Sequence, residues 1–330
     1  RSHNKSFTVD SVATIVGGRN IGDEYFVADP EMEFLDLDVL AFGPVAPLVA
    51  GSFDQYWNHE LSYPITILVK STPTQDQINA WLEEFNQFID EQSDTVYVKS
   101  LGESNLANAI NRYEVRLKTA QGQVVWDHPD KLTTSTNDTS NNLINDLAEH
   151  LEGVSQELLV ISPYFIPGKS GVAYFKKLRD KGVRVVVLTN SLSSTDVSLV
   201  HAGYAKYRKA LLRMGVELYE LNKNLRQESK DKPKGKFYES KSSLHAKAFV
   251  IDRQKTFIGS LNLDARSVTQ NTEIGIIIES EDIANTVAEY VDDQLGQFAF
   301  RLELKTGSDG VPRIVWHGIV DGNQTILAAE

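Results

Sequence analysis

Hydrophobic and polar positions along this chain repeat at two different periods. Lys5 to Val9 and Ala13 to Val16 are β-prone and separated by Asp10-Ser11, turn chemistry that predicts a hairpin. Gly17-Gly18 then breaks the pattern. Val39 to Val49 is apolar with two prolines and reads as a buried strand running into a loop. Ser52 to Leu61 and Gln75 to Gln92 have helical spacing, which places Trp57, Trp81, Leu82, Phe85 and Ile89 in an expected core. Lys131 to Asn142 is polar and almost free of large apolar residues, the best candidate for a linker. Beyond it the pattern becomes regular. Helical spacing over Asn142–Leu151, Gly171–Lys181 and Val200–Met214 alternates with apolar runs at Glu157–Pro163, Val183–Thr189 and Val216–Leu221. Near-continuous apolar strands between helices predict an α/β layer with a mostly parallel sheet. Arg301 to Thr325 reads as a terminal hairpin with Gly310 in its turn.

Composition narrows the class. The chain has 330 residues, enough for two domains, with 41% hydrophobic and 24% charged residues, an ordinary globular balance. Thirty-three Lys and Arg against 45 Asp and Glu leave a net charge of −12, which disfavours bulk nucleic-acid binding. With no cysteine there can be no disulfide, thiolate zinc site or cysteine nucleophile. No apolar run reaches the ~18–20 residues that span a bilayer. Arg226 to Ser243 collects six basic residues (Arg226, Lys230, Lys232, Lys234, Lys236, Lys241) and reads as a solvated loop, or as a flap for anionic headgroups.

An internal repeat carries the chemistry. His3-Asn-Lys5-Ser-Phe-Thr-Val-Asp10 and His245-Ala-Lys247-Ala-Phe-Val-Ile-Asp252 share the spacing H-x-K-x4-D. At the same offset of 242, Thr14 pairs with Thr256, Gly17 with Gly259, Gly18 with Ser260, and Asn20 with Asn262. One such spacing among seven histidines is expected by chance about 0.02 times, so two with matching tails are not accidental. On a strand, i and i+2 share a face, so each histidine projects beside its lysine. Asp10 and Asp252 fall at the turns, where an Asx-type bond to backbone suits them better than direct participation. The small residues Gly18 and Ser260 allow close backbone approach to an anion, and Asn20 and Asn262 add amide donors. Two imidazoles, two ammoniums and two amides about a pseudo-two-fold match a phosphodiester. Lysine and asparagine would stabilise the equatorial oxygens of a pentacoordinate transition state. One neutral histidine would attack phosphorus and the other, protonated, would supply the leaving alkoxide with its proton. No metal or other cofactor is needed, and a lysine beside each histidine disfavours a cation there.

These motifs, HNKSFTVD…GGRN and HAKAFVID…GSLN, resemble the phospholipase D superfamily. The neighbouring text DLDVLAFGPV, SPYFIPG and GSLNLDARSVTQNTEIGI resembles its bacterial cardiolipin synthase branch. The resemblance implies two pseudo-two-fold-related lobes, each a mixed, largely parallel sheet flanked by helices. Residues 1–130 would form the first lobe and 131–142 the linker. The second lobe would take 143–300, with a C-terminal hairpin at 301–330. It implies a phosphatidyl-histidine intermediate, His3 as nucleophile and His245 as acid, and a carboxylate after each asparagine that orients a histidine. Glu273 fits that role in the second copy and Asp36 in the first, with Asp38 as the rival on the same strand face and a DxD metal pair as the weaker alternative. It also implies phospholipid partners (phosphatidylglycerol, with phosphatidylethanolamine a candidate second lipid), a membrane surface at the bacterial inner membrane, and no nucleic acid. A hydrolytic phospholipase D, a nuclease and an inactive lipid-binding scaffold are the competing readings. His201 could bind a headgroup or sit on a helix surface, and Tyr164 and Phe165 could line an entrance or simply pack. His59, His128, His150 and His317 lack a partner pattern. About ninety residues of β-α-β-α-β pattern precede His245 and only two precede His3, so the first lobe should lack strands and the natural chain should extend upstream by ~100 residues or more.

Overall fold

A computed structural model describes residues 1–29, 31–69, 71–135, 138–223, 241–320 and 323–328. Its strands are β1 (Ser6–Val9), β2 (Ala13–Gly17), β3 (Met32–Leu35), β4 (Asp38–Phe42), β5 (Gln121–Trp126), β6 (Glu157–Ile161), β7 (Arg184–Asn190) and β8 (Glu217–Leu221). They continue with β9 (Lys241–Leu244), β10 (Ala248–Ile251), β11 (Lys255–Gly259), β12 (Ile274–Glu279), β13 (Ala299–Thr306), β14 (Pro312–Val320) and β15 (Asn323–Ala328). A ten-stranded mixed sheet runs β15-β14-β13-β8-β7-β6-β10-β11-β12-β5. Its β6, β7 and β8 are parallel, joined by helical crossovers as the apolar runs predict, and the other pairings are antiparallel. A separate antiparallel sheet, β1-β2-β4, holds the first copy of the repeat, and β3 and β9 form a parallel ribbon.

Both faces of the large sheet are covered, which is why its central strands are apolar throughout. Leu158, Val160, Val185 and Val187 face one core, with Phe165, Phe175 and Leu178. Leu159, Ile161, Val186 and Leu188 face the other, where helix Glu281–Phe298 supplies Ala284, Ala288, Val291 and Leu295. Val16 of β2 and Val49 join this second core, so the first repeat copy packs on the same face as that helix. Each buried Val, Leu, Ile or Phe side chain among them contributes about 1.5–3 kcal/mol.

The repeat is visible in three dimensions. β1 and β2 correspond to β10 and β11, and β4 to β12. Both hairpin turns place two non-glycine residues in the left-handed region: Asp10 and Ser11 at φ 51° and 54°, Asp252 and Arg253 at φ 51° and 53°. β10 continues the large sheet through β6, whereas β1 pairs only with β2 among the described strands.

Several expectations need correction. The segment after β4 is a helix, Val45–Trp57, not a loop; Pro47 lies in its first turn, where a missing N–H costs nothing. Val200–Met214 is two short helices, Ser198–Ala205 and Arg208–Arg213. The compact units are Arg1–Tyr56 with Ala120–Glu330, and Trp57–Thr119, so the division does not fall at 131–142. Lys131 and Asn142 in that stretch are buried, because β5 joins the large sheet and draws the following residues with it. The terminal hairpin likewise continues the large sheet through β13 and β8. In the second unit, helix Gln75–Ser93 forms as its spacing predicts, but Trp81, Leu82, Phe85 and Ile89 are exposed, as is Trp57. Periodicity reports an apolar stripe and not what covers it. The basic stretch lies outside the described residues except for its end, which forms β9. No described helix is long and apolar enough to cross a membrane.

Candidate active site

Each motif histidine is held by backbone from the opposite copy of the repeat. The N–H of His3 donates to the carbonyl of Thr272 at 2.9 Å, and the N–H of Thr272 donates to that of Arg1 at 2.9 Å. In the pseudo-symmetric arrangement the N–H groups of His245 and Ala246 both donate to Leu35, at 2.8 and 2.9 Å, continuing the β3–β9 ribbon. The next residue along in each case is a buried carboxylate. Nδ1 of His3 lies 2.7 Å from Oε2 of Glu273, and Nδ1 of His245 lies 2.6 Å from Oδ2 of Asp36. Each carboxylate therefore serves the histidine of the other copy, a crossing that sequence order does not reveal. Asp38, the rival, is taken by Arg19 Nε at 2.7 Å.

The small residues explain how the carboxylates fit. A Cβ at Gly18 would stand 2.5 Å from Oδ1 of Asp36, so only glycine admits this approach. The anion that Gly18 accommodates is thus the protein's own carboxylate. Its counterpart Ser260 donates its hydroxyl to Glu273 Oε2 at 2.6 Å. Asn20 donates to the hydroxyl of Tyr25 at 2.6 Å, whereas Oδ1 of buried Asn262 has no partner among the described residues.

Lys247 is completely buried, and its Nζ lies 2.9 Å from Nδ1 and 3.2 Å from Nε2 of His245, with a bond to that residue's carbonyl as well. Lys5 donates to the carbonyl of His3 at 2.8 Å. Burial lowers Lys247 to about 7 and Lys5 to about 8, opposed in part by the carboxylates. Burial alone would raise Asp36, but the bond from His245 and the charge of Lys247 outweigh it and hold Asp36 below its ordinary value. His245 is lowered by burial, against the pull of Asp36.

The motif aspartates sit elsewhere. Asp252 lies past the far end of β10, roughly 15 Å along the strand from Lys247. Its carboxylate accepts the backbone N–H groups of Ser155, Gln156 and Glu157 and the Ser155 hydroxyl, tying the hairpin to the start of β6. Asp10 accepts no such bond from another described residue. Both belong to the motif but not to the reacting cluster, because odd spacing and the turn carry them away from the histidine end.

Three contributors escaped the sequence reading. Tyr25 stacks edge-on against His245 with ring centroids 5.0 Å apart, and Phe34 lies 5.2 Å from the same ring. Buried Asn190, at the end of β7, accepts the N–H of Leu244 and donates to its carbonyl, both at 2.9 Å, which fixes the residue before His245. No short motif marks these positions; only the strand ends bring them together. His201 is buried against Tyr204, not on a helix surface, and Phe165 packs in the core against Phe175. Tyr164 donates to Asp196 at 2.6 Å. His128 Nδ1 accepts the N–H of Asp130, His150 Nε2 lies 3.2 Å from Gln123 Oε1, and His317 Nε2 lies 2.7 Å from Glu303 Oε2, all away from the motif histidines. Among the described residues there is no cluster of His, Asp and Glu suited to a metal ion.

The two imidazoles, each anchored at Nδ1 by a carboxylate, lie beside completely buried Lys247 and partly buried Lys5, and Nε2 of His245 also faces the Tyr25 hydroxyl at 3.5 Å. Residues 147–295 match the family described as "Cardiolipin synthase, PLD-like domain". The fold resembles that of phosphatidylserine synthase from Haemophilus influenzae, with a TM-score of 0.58 and 15% identity over 92% of this chain and 63% of that one. Residues 147–295, which hold the second copy of the motif, thus match a phospholipase D-like class of domain. Within that class the chain resembles cardiolipin synthase C of Escherichia coli, at 40% identity over 96% of this chain and 65% of the relative. It is also 32% identical to an uncharacterised Helicobacter pylori protein, over 98% of this chain and 61% of that protein. The chain thus spans less than two thirds of the length of these relatives.

Proposed function

We propose that this chain carries the reacting centre of a phosphatidyltransferase that makes cardiolipin from phosphatidylglycerol and a second phospholipid. The observation that carries this reading is the crossed pair of histidine–carboxylate bonds, which anchors Nδ1 of both rings and makes Nε2 the reacting nitrogen, flanked at His245 by the Lys247 amine at 3.2 Å and the Tyr25 hydroxyl at 3.5 Å. Nε2 of neutral His3 attacks phosphorus of the donor lipid, forming a P–N bond as the P–O bond to the headgroup breaks. Protonated His245 gives its proton to the departing alkoxide. Now neutral, His245 takes the proton from the glycerol hydroxyl of phosphatidylglycerol, whose oxygen attacks phosphorus and expels His3. Lys5 and Lys247 offset charge on the equatorial oxygens, and Asn20 and Asn262 supply further donors. The carboxylates Asp36 and Glu273 fix the tautomer and stabilise the imidazolium as it forms. The substrates place the enzyme at a membrane surface, the bacterial inner membrane in this reading.

The test supplies the full-length protein with phosphatidylglycerol and headgroup-labelled phosphatidylethanolamine in vesicles. Cardiolipin with release of labelled ethanolamine is the expected result. Phosphatidic acid as sole product would instead assign a hydrolase, with water as the acceptor. Nicking of plasmid DNA without lipid turnover would assign a nuclease.

A further inference from the structure

At the junction of β5 and β12 the sheet ladder is completed by a side chain. Trp126 is the last ladder partner of Ile274, and the N–H of Asp127 donates to the carbonyl of Glu273 at 2.9 Å. The reciprocal bond does not go to backbone: the N–H of Glu273 donates to Oδ2 of the Asp127 carboxylate at 2.7 Å. Asp127 is completely buried. Its Oδ1 accepts the N–H of Leu143 at 2.7 Å, and Lys131 Nζ stands 2.9 Å from Oδ2 while also donating to the carbonyl of Ser267 at 3.2 Å. Burial raises Asp127 to about 6, against the opposing pull of Lys131 and the two backbone N–H groups.

This arrangement sits one residue's length from the chemistry. Glu273 is the carboxylate on which His3 rests, and its own backbone is gripped on both sides by Asp127. We propose that Asp127, neutralised by Lys131, is a positioning residue that holds Glu273 in register for His3. Its importance for turnover rests on the phosphatidyl-transfer reading; its grip on the His3–Glu273 bond does not. An Asp127→Asn amide keeps one acceptor: with its oxygen toward Leu143, its NH2 opposes the Glu273 N–H and Lys131, which share Oδ2; with its oxygen toward those two, its NH2 opposes the Leu143 N–H that anchors the side chain. Either way the hold on Glu273 is loosened without that residue being touched itself.

The experiment is a double-mutant cycle in the full-length protein, with Asp127→Asn, Glu273→Gln and the pair, read by cardiolipin synthesis and by proton NMR. Asp127→Asn should lower kcat roughly 10–100-fold with KM changed less than about twofold, the scale of an outer partner's effect. In the Glu273→Gln background it should cost less than about twofold more, because the residue it acts through is already altered. The far-downfield imidazole N–H signal that Glu273→Gln abolishes should vanish in Asp127→Asn, while the signal that depends on Asp36 stays. Equal losses of kcat in both backgrounds, or persistence of the His3 signal, would overturn the proposal. Loss of both downfield signals would mark a general structural defect and overturn it as well. If Asp127→Asn does not fold, Asp127→Asn with Lys131→Met removes both charges together and is read in the same way. If the NMR pattern holds but the wild-type protein transfers no phosphatidyl group, the functional reading fails and the positioning role stands.

Discussion

His3 and His245 are chemically alike in this site yet not equivalent in surroundings. His245 is framed by Tyr25, Phe34 and Lys247, whereas His3 rests on Glu273 at the start of β12. Replacing either by Ala should lower turnover at least ~1,000-fold, the scale for removing a member of a nucleophile–base set. A donor with an activated phenolate leaving group separates their roles. His245→Ala should still release a stoichiometric burst, since such a leaving group needs no proton, and His3→Ala should release none. A burst in His3→Ala alone would reverse the assignment. Asp252→Ala belongs to a different class of change. It strips acceptors from three backbone N–H groups at the β6 start and should lower stability by about 2–4 kcal/mol in urea unfolding. Turnover per folded molecule should stay within about twofold, and a large specific loss would place Asp252 in the chemistry after all.

The lysine of each motif stands just before its strand, Lys247 completely and Lys5 partly withdrawn from water, and this sets a pH dependence. Lys247 is lowered to about 7 and Lys5 to about 8, each chiefly by burial. An anionic phosphodiester entering the site favours the protonated amines, so binding near pH 8 should take up protons. Calorimetry of a non-hydrolysable phosphodiester in buffers of different ionisation enthalpy measures this directly, and zero uptake would contradict the lysine environments. The same shifts act on folding with a definite sign. Between about pH 7–8 and the unfolded value of 10.5, the unfolded chain binds more protons than the folded one. The lysines' contribution therefore makes stability rise with pH across that window and level off above it. Helix Gln75–Ser93 teaches the opposite lesson about elements. Its period was sufficient to place it, and its capping box at Thr74 and Gln77 explains where it starts, but its apolar stripe is exposed.

At the scale of the whole molecule, the crossed pairing makes the two repeat copies interdependent. Asp36→Asn should impair the step served by His245, and Glu273→Gln the step served by His3, so each copy's carboxylate reports on the other copy's histidine. Chelation should leave the rate unchanged, because two lysines beside the histidines supply the positive charge that a cation would otherwise bring. Loss of activity on EDTA treatment, restored by a divalent ion, would contradict this. The sequence by itself determined the duplicated H-x-K-x4-D motif, the hairpins that bear it and the α/β alternation after residue 142, whereas Asp36 and Glu273 came from the family resemblance, with Asp38 left open beside Asp36. The motif, the hairpins and the alternation depend on spacing along the chain, which local backbone geometry translates directly into a face or a turn. Which carboxylate meets which histidine, that Asp38 goes to Arg19, and that Tyr25, Phe34, Asn190 and Asp127 surround the site were decided only by tertiary structure. Those contacts join residues some 20 to 270 positions apart, through strand ends that meet where the two copies of the repeat converge, and no local period encodes such a meeting.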